Sequence, residues 1–193
     1  MKKSVIVSGI VVIAFFSWLS TLHAQPMGPG MMRGYGSMGA SQVSIPDKLP
    51  KPQNQEWVDK LRQILVLERL SQAQYESDRA KYQVNMPYTM ILPQEGDHIG
   101  WITRLFAAYV LPSDGKTPPT KQSDTLAQAY EIGRQLEEAL IPQYEWLIRN
   151  APDNTASQVL DTILLETRMH YTMFDHALRM GGMRGNGMGM GPR

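Results

Sequence analysis

The stretch QEGDHIGWITRLFAAY, residues 94–109, decides the fold. An α-helix turns about 100° per residue, so Ile102, Phe106 and Tyr109 share one face, Glu95 and His98 fall about 20° and 40° from Ile102, and Asp97 points away. A buried carboxylate is costly unless it is paired or bound to a metal. An apolar helix face carrying Glu-x-x-His therefore reads as the wall of a polar site inside a helical core. Taken alone, Glu95 has a plainer reading, because an acid in the first turn after Pro93 complements the helix dipole. The sequence places that helix from about Gln94 to just before Pro112.

Three more helix-length patterns surround this one between residues 50 and 179, and no run of alternating β-branched residues interrupts them, so the fold class is all-α, a four-helix bundle. The first helix spans about 55–83. The third starts near Ser123 as cap and stops at Asn150-Ala151-Pro152; the fourth opens at Asn154 or Thr155 and reaches Arg179 before Gly181-Gly182. Pro112, Gly115, Pro118 and Pro119 make residues 112–121 an extended linker of roughly 30 Å, enough to run the length of a short bundle.

The same angular reckoning, applied to each helix, selects the inward polar groups. On the first helix Glu68 falls on the side of Trp57, Leu61, Ile64, Tyr75 and Tyr82. On the third, Glu137 rather than Glu138 faces the stripe of Leu126, Tyr130, Gly133, Leu140 and Tyr144. On the fourth, His170 and, less centrally, Glu166 lie with Val159, Leu160, Ile163, Phe174 and Ala177, while His176 faces water. Singly, Glu68 and Glu137 read as stripe-edge residues and His170 as a hydrogen-bonded core histidine. Together Glu68, Glu95, His98, Glu137, Glu166 and His170 supply the oxygen and imidazole donors that two hard metal ions need.

With these residues in place the chain resembles the ferritin-like superfamily of di-metal carboxylate proteins, in particular a little-characterised bacterial envelope branch. The resembling features cover about residues 55–178: Glu68 with Tyr75 seven residues on, Glu95-x-x-His98, Gly133-x-x-x-Glu137-Glu138, and Thr167-Arg168-Met169-His170 before Phe174. The resemblance implies a ferritin-like bundle with helices two and three parallel and the linker crossing between them. It also implies an iron or manganese pair held by those glutamates and histidines, with Tyr75 supporting them, and an oxidase, peroxide-reducing or metal-storage role. One departure stands out. Glu166 and His170 are four residues apart, with threonine at 167 where a second Glu-x-x-His would place its glutamate.

The ends of the chain differ from this middle. Lys2, Lys3, the apolar run from Val5 to Leu19 and the small Ala24 read as a secretory signal over 1–24, with an uncleaved anchor as the alternative. Cleavage leaves 169 of the 193 residues and moves the formal charge from +1 to −1, which does not suit nucleic acid. No other stretch is long and apolar enough to span a membrane, and the expected location is periplasmic or secreted. The chain has no cysteine, which excludes disulfides, thiolate metal sites and thiol nucleophiles.

Residues 25–49 and 180–193 are rich in methionine and glycine and are expected to be disordered tails. Their thioethers, at Met27, Met31, Met32, Met38, Met180, Met183, Met188 and Met190, are soft ligands suited to Cu(I). Two rival functions follow: a non-enzymatic copper-binding protein acting through its tails, and a small periplasmic chaperone, the latter from Leu70-Ser71-Gln72-Ala73-Gln74. The metal, the substrate and the oligomeric state are not written in the sequence.

Overall fold

A computed structural model describes residues 44–185 of the chain, and these form four α-helices with no strand among the described residues. They are α1 (Gln55–Tyr82), α2 (Tyr88–Ala108), α3 (Leu126–Arg149) and α4 (Asn154–Gly185). Local chemistry sets several of the ends. Asn54 caps α1 by accepting from the Trp57 amide, and Thr125 opens α3 with a capping box completed by Gln128.

Each helix packs against two others, α1 on α2 and α3, and α4 on α2 and α3. Residue pairings show that every neighbouring pair is antiparallel. Trp57 near the start of α1 donates its indole N–H to the Leu147 carbonyl near the end of α3 (3.0 Å), and its ring meets Tyr109 just beyond the end of α2. Tyr75, late in α1, meets Tyr88 at the start of α2 and Phe174 late in α4. Consequently α2 and α3 run parallel across one diagonal, α1 and α4 across the other, and the segment between α2 and α3 must travel the length of the bundle.

That segment travels along α1, and α1 holds it at successive turns. Arg69 donates to the carbonyls of Ser113 and Gly115, and Gln74 accepts from the Lys121 amide (2.7 Å) while donating to its carbonyl (3.0 Å). Ser123 then donates to buried Asp78 (3.1 Å), and Tyr82 donates to the Ser123 carbonyl (2.8 Å). Gly115 lies so close to Val66 that a Cβ there would come within 2.6 Å of Cγ2. The bend back along α1 thus depends on that glycine.

Four boundaries differ from those read in the sequence. Helix α2 starts at Tyr88 rather than Gln94 and carries Pro93 inside it. A proline removes one helical N–H, but Tyr88 and Ile91 are fully buried against Tyr75, Tyr130 and Phe174, and that packing holds the extra turns. Ser123 does not cap α3, because its side chain is engaged with Asp78 and Tyr82. The ordered fold begins before residue 50: Ile45 is buried in the main core, and the Leu49 amide bonds the Ala108 carbonyl at 2.8 Å. Helix α4 continues past Arg179, through Gly181 and Gly182, to Gly185, so the start of the expected C-terminal tail, Met180 included, is helical. The signal segment, most of the N-terminal tail with Met27, Met31, Met32 and Met38, and Met188 and Met190 lie outside the described residues, as does the side chain of Met183.

The two hydrophobic clusters lie on either side of a polar layer. Trp57, Leu61, Phe106, Tyr144, Leu160 and Ile163 belong to one, and Tyr75, Tyr88, Tyr130 and Phe174 form the other. The layer between them is the candidate site.

Candidate metal centre

All four helices contribute a fully buried acid or imidazole to this layer: Glu68 from α1, Glu95 and His98 from α2, Glu137 from α3 and His170 from α4 are each 0% exposed. The controls face outward, with Asp97, Glu138 and His176 exposed. Glu138 is paired with Arg134 at 3.2 Å on the surface. Neither lysine nor arginine is buried anywhere among the described residues. Three buried carboxylates are therefore opposed by two imidazoles alone.

The donor atoms converge in two groups, Glu68 with Glu95 and His98, and Glu95 with Glu137 and His170, the atoms of each lying within 4.8 Å of one another. Each group could hold a metal ion, and Glu95 belongs to both. His98 Nδ1 lies 3.3 Å from Glu68, and His170 Nδ1 lies 3.0 Å from Glu95 and 3.6 Å from Glu137. The two imidazoles stack with centroids 5.5 Å apart.

The second nitrogen of each ring is anchored on the opposite helix. His98 Nε2 meets a Glu166 oxygen at 2.9 Å, and His170 Nε2 meets the Gln94 carbonyl oxygen at 2.9 Å. Both partners are acceptors, so each Nε2 carries the proton and donates it, and each Nδ1 faces the carboxylates. This arrangement suits a metal-binding imidazole, in which the outer N–H is held by an oxygen and the inner nitrogen is free for an ion. Glu166, read in the sequence as a ligand, meets His98 from the partly exposed rim and belongs to neither donor group.

Two phenols complete the layer. Tyr75 donates to Glu137 at 2.6 Å, and Tyr144 donates to Glu68. Burial and the neighbouring carboxylates push both phenols well above their ordinary pKa, so they remain donors. Gly133 makes room for the second cluster beside them, since a Cβ there would meet the Phe174 ring at 2.6 Å.

The fit to a cation rests on atoms left without hydrogen bonds. Both oxygens of Glu95, one oxygen of Glu137 and Nδ1 of His170 are buried with no hydrogen-bond partner. The 3.0 Å approach of His170 to Glu95 is a close contact without hydrogen-bond alignment, as expected of two groups facing a common point rather than each other. Electrostatics in the metal-free protein show the same strain. Burial, then Glu68 and Glu137, push the Glu95 carboxyl well above its usual range. Burial alone would raise Glu68 too, but His98, then the adjacent Glu95 carboxyl and Tyr144, outweigh it and hold it below the usual value. For His98, the carboxylates of Glu68 and Glu166 overcome burial and raise its pKa to about 10.

The site has an internal repeat that sequence reading missed. Glu68 and Tyr75 on α1 correspond to Glu137 and Tyr144 on α3, each tyrosine bonding the other helix's glutamate. Gln94-Glu95-x-x-His98 on α2 corresponds to Glu166-Thr167-x-x-His170 on α4, with Gln94 and Glu166 each anchoring the other helix's histidine. The signal was present as two Glu-x6-Tyr spacings and two polar residues three and four positions before each histidine. The repeat breaks at Thr167, which is fully buried and donates its hydroxyl to the Ile163 carbonyl of its own helix at 2.9 Å.

Comparison with known proteins finds no family model, no curated protein and no solved structure that matches this chain. The class defined by the fold and the site is thus an all-α four-helix bundle with a buried glutamate and histidine cluster able to hold metal.

Proposed function

We propose that the bundle is a container for two hard metal ions, iron or manganese, in an exported protein with an oxidase, peroxide-reducing or metal-storage role. The single observation carrying this reading is Glu95: fully buried, without a well-aligned hydrogen bond at either oxygen, and common to both donor groups. A carboxylate in that state is stabilised by cations on both sides better than by anything the chain itself supplies. Glu68 and His98 would hold one ion, Glu137 and His170 the other, and Glu95 would serve both. The donor set is oxygen and imidazole without sulfur, which favours iron and manganese over soft ions. Such ions, when bound, supply one-electron redox chemistry and polarise oxygen ligands. The chain's own residues orient the imidazoles through Gln94 and Glu166, present protonated phenols to two carboxylates, and exclude bulk water with the two aromatic and aliphatic clusters. The resemblance to ferritin-like proteins supports the same reading, as do the parallel α2 and α3.

Leu70-Ser71-Gln72-Ala73-Gln74 has a different use in this fold. Gln74 is buried and clamps the linker at Lys121, which supports a structural use of this segment. Elemental analysis of protein purified without added metal tests the proposal. Iron or manganese, two ions per chain and lost in Glu95→Gln, is the expected result; copper at this site, zinc, or no metal would overturn it.

A further inference from the structure

The acids and imidazoles of the polar layer are sealed from water, yet the layer reaches solvent along one seam. Glu68, Glu95, His98, Glu137 and His170 are all fully buried, and so are Tyr75 and Tyr144, whose rings wall the side of α1 and α3. Water meets the hydrogen-bonded set at Gln94 on α2 and Glu166 on α4, the partly exposed residues that hold the two histidines across the seam between those helices. Trp101, also partly exposed, stands about 20° from Gln94 around α2, and its ring lies 6.2 Å from the His98 ring.

Gln94 and Glu166 do the same work with different charge. Holding an Nε2–H needs only an acceptor, and Gln94 does it with a neutral amide oxygen at the same 2.9 Å as Glu166. The negative charge of Glu166 therefore exceeds what anchoring His98 requires. Among the described residues no lysine or arginine pairs with it; the nearest along α4, Arg168, is turned to Glu145 of α3 at 2.8 Å. One Glu166 oxygen is taken by His98, and the other has no hydrogen bond and is not among the buried unpartnered atoms, so it faces water. A single carboxylate thus touches both solvent and the ring of a candidate ligand.

We propose that the seam between α2 and α4 is the cation port of the buried centre, with Glu166 as the carboxylate that takes a hydrated divalent ion from water and passes it to His98 and Glu68. The inference rests on the reading of the layer as a metal centre. An unpaired carboxylate at the mouth of a low-dielectric layer draws cations towards it, and this one is a ring's width from the donor group of Glu68, Glu95 and His98. The bonds crossing the seam are polar and exchange with water as an ion passes. The transfer is a ligand exchange: waters leave the ion, and no electron moves. A port residue acts on the way in and on the way out alike, so it sets uptake and release together and changes their ratio, the affinity, far less.

Stopped-flow mixing of the full-length protein with Co(II), whose visible absorption reports ligation, tests this. Glu166→Gln keeps an acceptor for the His98 N–H, as Gln94 does for His170, and removes only the charge. Uptake, and release into excess chelator, should both slow by about tenfold, the equilibrium affinity should move much less, and the salt dependence of uptake should flatten. Asp161→Asn removes the same charge from an exposed position about 140° away on α4 and should leave the rates alone. Unchanged rates in Glu166→Gln overturn the proposal. So does an affinity that falls while the uptake rate holds, which would assign the charge to the basicity of His98 instead. Protein that takes up no Co(II) at equilibrium, or whose Co(II) signal survives Glu95→Gln, overturns the metal centre and this inference with it; full uptake at unchanged rates overturns the port alone.

Discussion

Replacing Glu95 by Gln should make the metal-free protein more stable and the metal-supplemented protein less so. Glu95 is fully buried between Glu68 and Glu137, and its pKa is raised by burial and by those charges. A group whose folded pKa is raised contributes stability that is present below its unfolded value, 4.5, and is lost as pH rises through the folded value. Each pH unit above 4.5 over which it stays protonated costs about 1.4 kcal/mol, so the variant should gain on the parent progressively as pH rises towards 7. Glutamine mimics the protonated acid in shape, supplies N–H donors to the flanking carboxylates and removes that cost. Chemical denaturation of chelator-treated protein should show the variant ahead at pH 7 and level with the parent below pH 4.5. Adding Fe(II) anaerobically, or Mn(II), at 100 times Kd should then stabilise the parent by about 2.7 kcal/mol and leave the variant unmoved. A variant that is weaker without metal at pH 7, yet still gains the full metal stabilisation, would refute the reasoning.

Replacing Glu68, His98, Glu137 or His170 by Ala should abolish iron or manganese binding in a metal titration followed by thermal melting, while Asp97→Ala, Glu138→Ala and His176→Ala keep it. Gln94→Leu and Glu166→Leu should each weaken that binding by about 10–100-fold, since each frees the outer nitrogen of one histidine; equal affinity in both would show that the anchors are incidental. Thr167→Glu should tighten metal binding while lowering the melting temperature of the metal-free protein, because it adds a further buried carboxylate; a variant that melts lower both with and without metal would mean the pocket cannot admit it.

Most of the inner residues were legible because the apolar stripes are regular. On α3 the stripe through Tyr130, Leu140 and Tyr144 separates Glu137 from Glu138 by more than a quarter turn, and burial follows that division. A linker long enough for the crossover was legible as well, from four proline and glycine residues between 112 and 119, whereas the crossing itself came with the ferritin-like resemblance. The start of α2 was not, because Pro93 is a local stop signal overridden by the burial of Tyr88, a contact with residues as distant as Phe174. That error also changed the reading of Glu95. With α2 beginning at Tyr88, Glu95 stands two turns inside the helix, beyond the range of a dipole argument. Gln94 was missed because an uncharged amide beside a glutamate carries no sequence signal until the opposite histidine is placed against it.

The broken repeat also assigns Glu166 its role. If Glu166 were a ligand displaced by one residue, its counterpart on α2 would be Glu95, and the two would occupy similar places. The contacts say otherwise: Glu166 does for His98 what Gln94 does for His170, and the true counterpart of Glu95 is Thr167. The fourth helix therefore presents a threonine, not a carboxylate, at the position matching Glu95. Two divalent ions facing three buried carboxylates would retain one net positive charge, whereas a complete repeat would be neutral. The Thr167 hydroxyl cannot offset this, since it is turned back to the Ile163 carbonyl. An uncompensated positive charge in a water-poor layer raises the affinity for a small anion from outside the chain. Were two divalent ions bound, the threonine in place of a further inner carboxylate would leave charge in the layer for an anionic oxygen ligand from outside the chain.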